Sequence, residues 1–154
     1  MEVAMARVTL LAIGTELTQG QITNRNAAWI SKKLTDLGFD VRLHMTVADD
    51  RPAMIESFEV ATSRSELLII TGGLGPTTDD FTREALSEWS GYPLEFRPES
   101  WKKIVDRLTE RGIVVAEANK QQCYFPKSSH VFENLEGTAD AFGFQKKSCT
   151  VIAL

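Results

Sequence analysis

The chain has 154 residues, of which 43% are hydrophobic and 25% are charged, and its formal net charge is −4. These values are typical of one soluble domain with a full hydrophobic core. They argue against general nucleic-acid binding, because 17 basic and 21 acidic residues leave no basic excess to neutralise phosphates. No apolar run approaches the roughly 20 residues of a membrane helix. Residues 1–10 lack the pattern of a signal peptide, so we expect a cytoplasmic protein.

Strand–helix units are predicted throughout the first part of the chain. Residues 7–13, RVTLLAI, form a nearly continuous apolar run that predicts a buried central strand. After a polar loop at residues 14–20, a helix begins near Thr23 or Asn24, either of which can cap it. Gly38 is well placed to close this helix in a left-handed conformation. The helix is predicted to bury a stripe made of Ala27, Ile30, Leu34 and Leu37.

The second and third units follow the same order. Residues 39–47 alternate between apolar and polar side chains, which predicts a strand with one wetter face, near a sheet edge. Pro52 suits the first turn of a helix that runs to about Arg64. Leu67 to Thr71 form the third strand, which stops at a glycine-rich loop. The helix after that loop is predicted to bury Phe81, Ala85, Leu86 and Trp89.

The remaining chain predicts shorter elements. A helix covers residues 98–112, a short helix covers 116–122, and strands cover 123–125, 131–135, 142–145 and 149–154. The order of elements predicts an α/β fold with three layers, α/β/α, and a mostly parallel sheet, with short antiparallel strands near the C-terminus. The chain stops on an apolar strand, so we expect one domain over residues 1–154 that is truncated at its C-terminus.

The tryptophans and cysteines are predicted to have structural roles. Trp29, Trp89 and Trp101 lie on helical stripes and are predicted to pack in the core. Cys123 and Cys149 are far apart in the sequence and form no metal-ligand spacing, so we interpret them as reduced structural thiols.

The glycine-rich loop is the leading candidate for a functional site. It reads TGGLGPTTDD over residues 71–80 and joins a strand to a helix, an arrangement that receives phosphate on free backbone N–H groups. It is neither a dinucleotide-binding fingerprint nor a P-loop, because it lacks their glycine and lysine spacing. The structural alternative is a tight glycine turn in which Thr78 or Asp79 only caps the next helix.

Acidic residues accompany this loop. Right-handed crossovers place every strand-to-helix loop at the same edge of a parallel sheet, where ligands bind. The first three such loops carry Glu16, then Asp49 and Asp50, then Asp79 and Asp80. Carboxylate oxygens suit Mg²⁺, and Mg²⁺ suits a nucleotide diphosphate, so this edge is a candidate metal and nucleotide site. The alternative is that Asp49 and Asp50 form a solvated loop before the next helix.

Two stretches resemble the CinA (competence/damage-inducible protein A) family. The opening GTELTQGQI at residues 14–22 resembles the start of the family, and residues 71–80 resemble its central signature closely. Asn24, Asn26 and Ala27 extend the opening match, and Thr82, Glu84 and Ala85 extend the central one. Weaker matches later in the chain are Asn119, Gln122 and Gly137-Thr138-Ala139. Residues 140–144 depart from the family, which usually reads Pro-Gly-Phe after the last of these matches.

The resemblance implies a molybdopterin-binding-type domain, shared with MoaB, MogA and gephyrin-like proteins. Those relatives adenylate molybdopterin, and Asp49 and Asp80 match their catalytic aspartates. In CinA-type proteins the same domain is linked to metal-dependent hydrolysis of ADP-ribose to AMP and ribose 5-phosphate. The implied ligand is a nucleotide or a pterin, and the implied ion is divalent, such as Mg²⁺, with K⁺ as a further candidate. The implied assembly is a homo-oligomer, a dimer or a trimer.

These arguments define a predicted site. Asp80 and Asp49 are predicted to hold the metal ion, and Asp79 or Glu16 to orient the attacking water. The predicted phosphate- or nucleotide-binding residues are Gly14, Thr15, Asn24, Asn26, Thr71, Gly72, Gly73, Gly75, Thr77, Thr78, Gly137 and Thr138. Two alternatives to hydrolysis are molybdopterin binding or adenylyl transfer, and a non-catalytic nucleotide-binding domain, which the altered residues 140–144 motivate.

Overall fold

Strands and helices alternate in the first half of the chain and become shorter in the second half. In the computed structural model, which describes residues 5–154, the strands are β1 (Arg7–Ile13), β2 (Asp40–Val47), β3 (Leu67–Thr71), β4 (Leu94–Phe96), β5 (Tyr124–Pro126), β6 (His130–Phe132), β7 (Ala141–Lys146) and β8 (Cys149–Ala153). The helices are α1 (Thr15–Thr18), α2 (Arg25–Asp36), α3 (Arg51–Arg64), α4 (Thr82–Ser90) and α5 (Pro98–Glu110), and a 3₁₀ helix covers Glu117–Cys123.

Parallel pairing around β1 organises the main sheet. β1 pairs in parallel with β2 on one side and with β3 on the other, and β8 pairs in parallel with β3. β7 and β6 continue the sheet in antiparallel order, so the six strands run β2-β1-β3-β8-β7-β6. The mostly parallel sheet, its antiparallel C-terminal strands and the position of β2 at an edge are therefore confirmed.

Helices cover both faces of this sheet. Successive side chains of β1 point to opposite faces, so each face packs against its own set of helices. Leu11 faces a large core that includes Phe58 from α3 and Leu86 from α4. Leu10 faces a smaller core that includes Ala27 from α2. The predicted three-layer α/β/α arrangement is therefore confirmed.

Local signals place the helix ends where the sequence predicted them. The Asn24 side chain accepts a hydrogen bond from the Ala27 N–H group at 3.0 Å and caps α2. Gly38 follows the same helix with φ +85°, in the left-handed region that favours glycine. Pro52 lies in the first turn of α3, where its missing N–H group leaves no hydrogen bond unmade.

Some elements differ from the prediction. The predicted polar loop at residues 14–20 contains the short helix α1. The predicted strand at residues 131–135 ends at Phe132, and Leu135 is 74% exposed. β4 was not predicted, and it pairs with β5 in a separate two-stranded sheet. These short elements depend on contacts distant in sequence, which local patterns do not specify.

Two large side chains that were predicted to be buried are exposed. Trp29 is 65% exposed, and the Lys33 ammonium group lies 5.6 Å from its ring centroid. Leu37 is 73% exposed, because α2 ends at Asp36 and Leu37 lies beyond its last turn, outside the buried stripe. Trp89 does pack against the core, with its ring centroid 5.6 Å from that of Phe58.

Both cysteines are free and buried, which agrees with the structural role predicted for them. Burial raises the pKa of Cys123 to about 11 and also raises the pKa of Cys149, so both thiols are protonated at neutral pH.

Of the helices in residues 5–154, none combines the length and the apolar character needed to span a bilayer.

The different exposures of Phe58 and Trp29 predict very different losses of stability when each aromatic side chain is truncated to alanine. Phe58 is fully buried, so Phe58→Ala should lower the free energy of unfolding by about 3–5 kcal/mol through lost burial and a residual cavity. Trp29→Ala should cost less than about 1 kcal/mol, because the ring stays largely in solvent. Urea denaturation followed by circular dichroism measures both. Equal costs for the two variants would contradict this assignment of the core.

Candidate functional site

The carboxyl ends of β1, β2 and β3 lie side by side. Ile13 pairs with Val47, and Ala12 pairs with Thr71, so the three loops that follow these strands begin at one edge of the sheet. The Gly14 N–H group donates to the Val47 carbonyl oxygen at 2.9 Å and ties the first two loops together. The predicted convergence of these loops is confirmed.

Asp49 links the loop after β2 to the loop after β1. Its Oδ2 atom accepts hydrogen bonds from the Thr15 N–H group at 2.8 Å and from the Thr15 hydroxyl at 2.9 Å. Asp50 has a different role, because it accepts from the Ala53 N–H group at 3.0 Å and caps α3. The two neighbouring aspartates are therefore not an equivalent solvated pair, and only Asp49 is directed to the site.

Two glycines allow the loop after β3 to approach its surroundings closely. Gly72 has φ +104°, and a Cβ atom at this position would overlap the carbonyl oxygen of Ile13. Gly73 has φ +70°, and a Cβ atom there would overlap the hydroxyl of Thr82. That hydroxyl donates to the Gly72 carbonyl oxygen at 2.9 Å and fixes the loop to the start of α4. The loop therefore requires glycine at both positions.

The same loop presents unused backbone donors. The N–H groups of residues 72–75 donate no hydrogen bond to any residue in the described part of the chain. They form a continuous run, and Gly73 within it lies against Thr82, the first residue of α4, whose N–H group donates to the Gly73 carbonyl oxygen at 3.2 Å. Successive free N–H groups of this kind create a concave site with partial positive charge, which suits an anion.

Asp80 lies beside this run of donors. Its Oδ2 atom accepts from the Thr77 N–H group at 3.0 Å and from the Thr77 hydroxyl at 2.5 Å. Its carboxylate also lies against Gly75, where an added Cβ atom would come within 2.5 Å of Oδ2. Thr78 and Asp79 are exposed, and neither caps α4, since the residue before that helix is Phe81. The predicted capping alternative is therefore wrong.

A cavity of about 270 Å³ joins the opening motif to the glycine loop. The predicted site residues that line it are Glu16, Asn24, Asn26, Thr71 and Gly72. The Glu16 carboxylate folds back over Gly14, which has no side chain to exclude it. Residues distant in sequence thus form one concave surface at the carboxyl edge of the sheet.

Gly137 and Thr138 do not line this cavity. The Thr138 hydroxyl accepts a hydrogen bond from the Gln122 Nε2 atom at 3.2 Å. The Gly137 carbonyl oxygen accepts from the Arg107 guanidinium group. Thr138 therefore lies beside Gln122, an interior group that supports the glycine loop, while Gly137 is held by α5, and neither lies at the cavity.

Arg83 is a site residue that the sequence interpretation missed. It is 2% exposed, and its Nη1 atom donates to the Leu74 carbonyl oxygen at 2.9 Å. Burial lowers the pKa of Arg83 to about 10, against the opposing attraction of Glu84 and Asp80, so the group stays charged at neutral pH. The sequence did hold a signal for this residue: Arg83 lies three residues before Leu86, on the buried side of α4, where an arginine is not expected.

Gln121 is a second residue that was missed. Its Nε2 atom donates to the carbonyl oxygens of Gly75 at 2.9 Å and Thr77 at 2.8 Å. The 3₁₀ helix therefore holds the outer part of the glycine loop across a long sequence separation. No local pattern in the sequence indicates this contact.

A larger cavity, of about 420 Å³, lies at the start of α5 and is separate from this edge of the sheet. None of the predicted site residues lines it. Its buried carboxylate, Asp140, is already paired with Lys103 and accepts from the Ser100 hydroxyl at 2.8 Å. The smaller cavity is therefore the better candidate, because Glu16 and Gly72 line it at the edge of the sheet where the three loops meet, although Asp49, Asp79 and Asp80 are not among its lining residues.

The fold and the glycine loop define a molybdopterin-binding-type domain. The family described as probable molybdopterin binding domain matches residues 9–145. The molybdopterin biosynthesis enzyme MoaB from Thermus thermophilus has the same fold, with a TM-score of 0.61 at 16% identity over 97% of this chain and 80% of that chain.

Within this class, the chain belongs to the CinA family. The crystal structure of CinA from Thermoplasma acidophilum superposes with a TM-score of 0.87 at 30% identity, covering 97% of this chain and 88% of that chain. A competence-damage inducible protein of Caldicellulosiruptor saccharolyticus is 42% identical over 86% of this chain and 32% of its own length. A CinA-like protein of Dictyoglomus thermophilum is 38% identical over 96% of this chain and 36% of its own length. The chain thus spans about a third of these curated relatives.

The close approach at Gly72 predicts a steric cost that a second left-handed glycine lacks. Gly91 has φ +74° with no atom within 4 Å of an added Cβ, so Gly91→Ala should cost about 1 kcal/mol of backbone strain. Gly72→Ala adds an overlap with the Ile13 carbonyl group and should cost more than about 3 kcal/mol. Urea denaturation compares the two variants. A cost at Gly72 no greater than at Gly91 would contradict the contact between this loop and β1.

Proposed function

We propose that this chain binds the phosphate chain of a nucleotide at the glycine loop and, with a divalent ion, hydrolyses ADP-ribose or a related dinucleoside diphosphate to AMP and a sugar phosphate. The observation that carries the proposal is the run of free N–H groups at residues 72–75, which contacts the first residue of α4 through Gly73. Such groups bind phosphate oxygens without a charged side chain, and the start of the helix adds a favourable dipole.

Asp49 and Asp80 fit the role of metal ligands. The Oδ2 atom of each aspartate accepts hydrogen bonds from the N–H and hydroxyl groups of a threonine, Thr15 for Asp49 and Thr77 for Asp80. The Oδ1 atom of each accepts no hydrogen bond from the described residues. Among residues 5–154, no group of three or more histidine, cysteine, aspartate or glutamate side chains is arranged to hold a metal ion. Magnesium in nucleotide sites usually takes one or two carboxylates and completes its coordination with substrate phosphates and water, so two aspartates suffice. The bound ion would polarise a phosphoryl oxygen and make water more acidic.

The other residues of this edge have complementary roles in the proposal. Glu16 lines the cavity next to the glycine loop, where its carboxylate can orient water towards a bound phosphate. Asp79 is exposed and makes no hydrogen bond with the described residues, so it is the alternative base. The cavity of about 270 Å³ accommodates part of a dinucleotide, with the amide of Asn26 at its wall.

Molybdopterin binding or adenylyl transfer is the second candidate. The description of the matching family and the MoaB structure favour it, because both refer to molybdopterin. A pterin carries a phosphate group that the same run of N–H groups can bind. The two candidates share the fold, the glycine loop and the aspartates, and they differ in the group that occupies the adjacent cavity.

Hydrolysis is tested by AMP release from ADP-ribose. We expect release in the presence of Mg²⁺, Mn²⁺ or Co²⁺, with a parallel series that includes K⁺, followed by chromatography. EDTA should abolish the activity, because the proposed chemistry requires the ion. The absence of AMP with every ion would reject hydrolysis for this chain.

Asp80→Asn tests the leading residue. Asparagine keeps an oxygen that accepts from the Thr77 N–H group, so the loop should stay ordered while the charge is lost. We expect kcat for AMP release to fall by roughly 100-fold. Asp106→Asn is the matched control, since that exposed aspartate on α5 pairs with Lys102 and lies outside the proposed site. A full rate for Asp80→Asn would remove this aspartate from the mechanism.

The pterin candidate predicts a different ligand. If it holds, purified protein should carry pterin fluorescence, and ADP-ribose should fail to displace it. If hydrolysis of ADP-ribose is the function, ADP-ribose should instead compete for the site, because both ligands would need the same N–H groups. Fluorescence titration of the purified chain distinguishes the two outcomes.

A further inference from the structure

Interior donors hold the carbonyl group at the centre of the glycine loop. The Leu74 carbonyl oxygen accepts from Arg83 Nη1 at 2.9 Å and from Gln122 Nε2 at 3.5 Å. Both donor side chains are buried, with 2% and 1% of their surfaces exposed. The loop is therefore supported from inside the domain by side chains of α4 and the 3₁₀ helix.

This support sets the direction of a backbone donor. A trans peptide unit is planar, so its carbonyl and N–H groups point in opposite directions. Because the Leu74 carbonyl group points to the interior, the Gly75 N–H group of the same peptide unit points away from it. That N–H group donates to no described residue and belongs to the run proposed to bind phosphate.

The charge of Arg83 is incompletely compensated. Its Nε and Nη2 atoms are buried and have no hydrogen-bond partner among the described residues. Its guanidinium group lies over the rings of Phe125 at 5.4 Å and Phe142 at 5.9 Å, which supply only a weak attraction. A buried cation with unpaired donors destabilises a fold, and an apolar side chain of similar length would avoid this cost. Glu84 and Asp80 attract this charge through space, but neither accepts a hydrogen bond from the guanidinium group, so part of its charge remains available to a phosphate at the loop.

We propose that Arg83 is a positioning residue of the phosphate site. Its guanidinium group fixes the Leu74 peptide unit so that the Gly75 N–H group faces the ligand, and its charge favours a phosphate over a neutral group. The charge acts through a poorly hydrated interior, where electrostatic attraction is stronger than in water. This inference rests on the proposed function, because it requires that the loop binds phosphate.

Binding of AMP and of adenosine to the full chain tests the role of Arg83. Isothermal titration calorimetry gives the two dissociation constants, and their ratio isolates the contribution of the phosphate. For Arg83→Met we expect AMP affinity to fall by roughly tenfold, with adenosine affinity unchanged. Arg83→Lys keeps the charge and should restore part of the loss. Arg111→Met, an exposed arginine after α5, should change neither constant.

Thermal unfolding of the same variants separates positioning from stability. We expect Arg83→Met to melt within a few degrees of the unchanged chain or above it, because the substitution removes a buried charge. Loss of the AMP preference in a variant of undiminished stability supports the proposal. If Arg83→Met does not fold, Arg83→Gln gives the comparison, because it removes the charge but keeps a donor that can bind the Leu74 carbonyl oxygen. An AMP preference in that variant equal to that of the unchanged chain would overturn the proposal.

The outcomes for the unchanged chain and for the variants are distinct. If the unchanged chain binds AMP no better than adenosine, the loop does not bind phosphate, and the proposed role of Arg83 is rejected as well. If the unchanged chain prefers AMP and folded Arg83→Met has the same preference, the phosphate site stands and only the role of Arg83 is overturned.

Discussion

The parallel pairing of β1 with strands on both sides is the constraint on which the rest of the structure depends. It aligns the ends of β1, β2 and β3, so the loops that follow them must share one edge of the sheet. β1 can hold this position because nearly all its side chains are buried between helices on both faces. The chemistry of the site then follows from the short polar loops that the pairing brings together.

Two aspartates at this edge are held in the same way. Asp49 accepts from the N–H and hydroxyl groups of Thr15, and Asp80 accepts from the same two groups of Thr77. In both cases one carboxylate oxygen is fixed and the other is left available. An acid that is oriented before a ligand arrives loses less conformational entropy on binding, which suits both metal coordination and the orientation of water.

Charges of opposite sign lie on the two sides of the glycine loop. Asp80 lies on its outer side against Gly75, and Arg83 lies beneath it in the core. Residues 72–75 contribute only backbone dipoles, because three of them are glycines and the fourth, Leu74, is apolar. This arrangement explains how an acidic edge can accept a phosphate, since the run of N–H groups and the buried guanidinium group oppose the repulsion of the carboxylates.

The amino-acid sequence was sufficient to predict the alternating elements, the parallel sheet and the meeting of Glu16, Asp49 and the glycine loop at one edge. Strong local patterns specify these features: a continuous apolar run in β1, helix caps such as Asn24, and the handedness of crossovers. The tertiary structure alone decided the features that depend on distant contacts. It exposed Trp29, placed Thr138 at Gln122 and buried Arg83 beneath Leu74. The reason is physical: burial and hydrogen-bond partners are set by the packing of separate elements, and periodicity in one helix does not report what the neighbouring elements present to it.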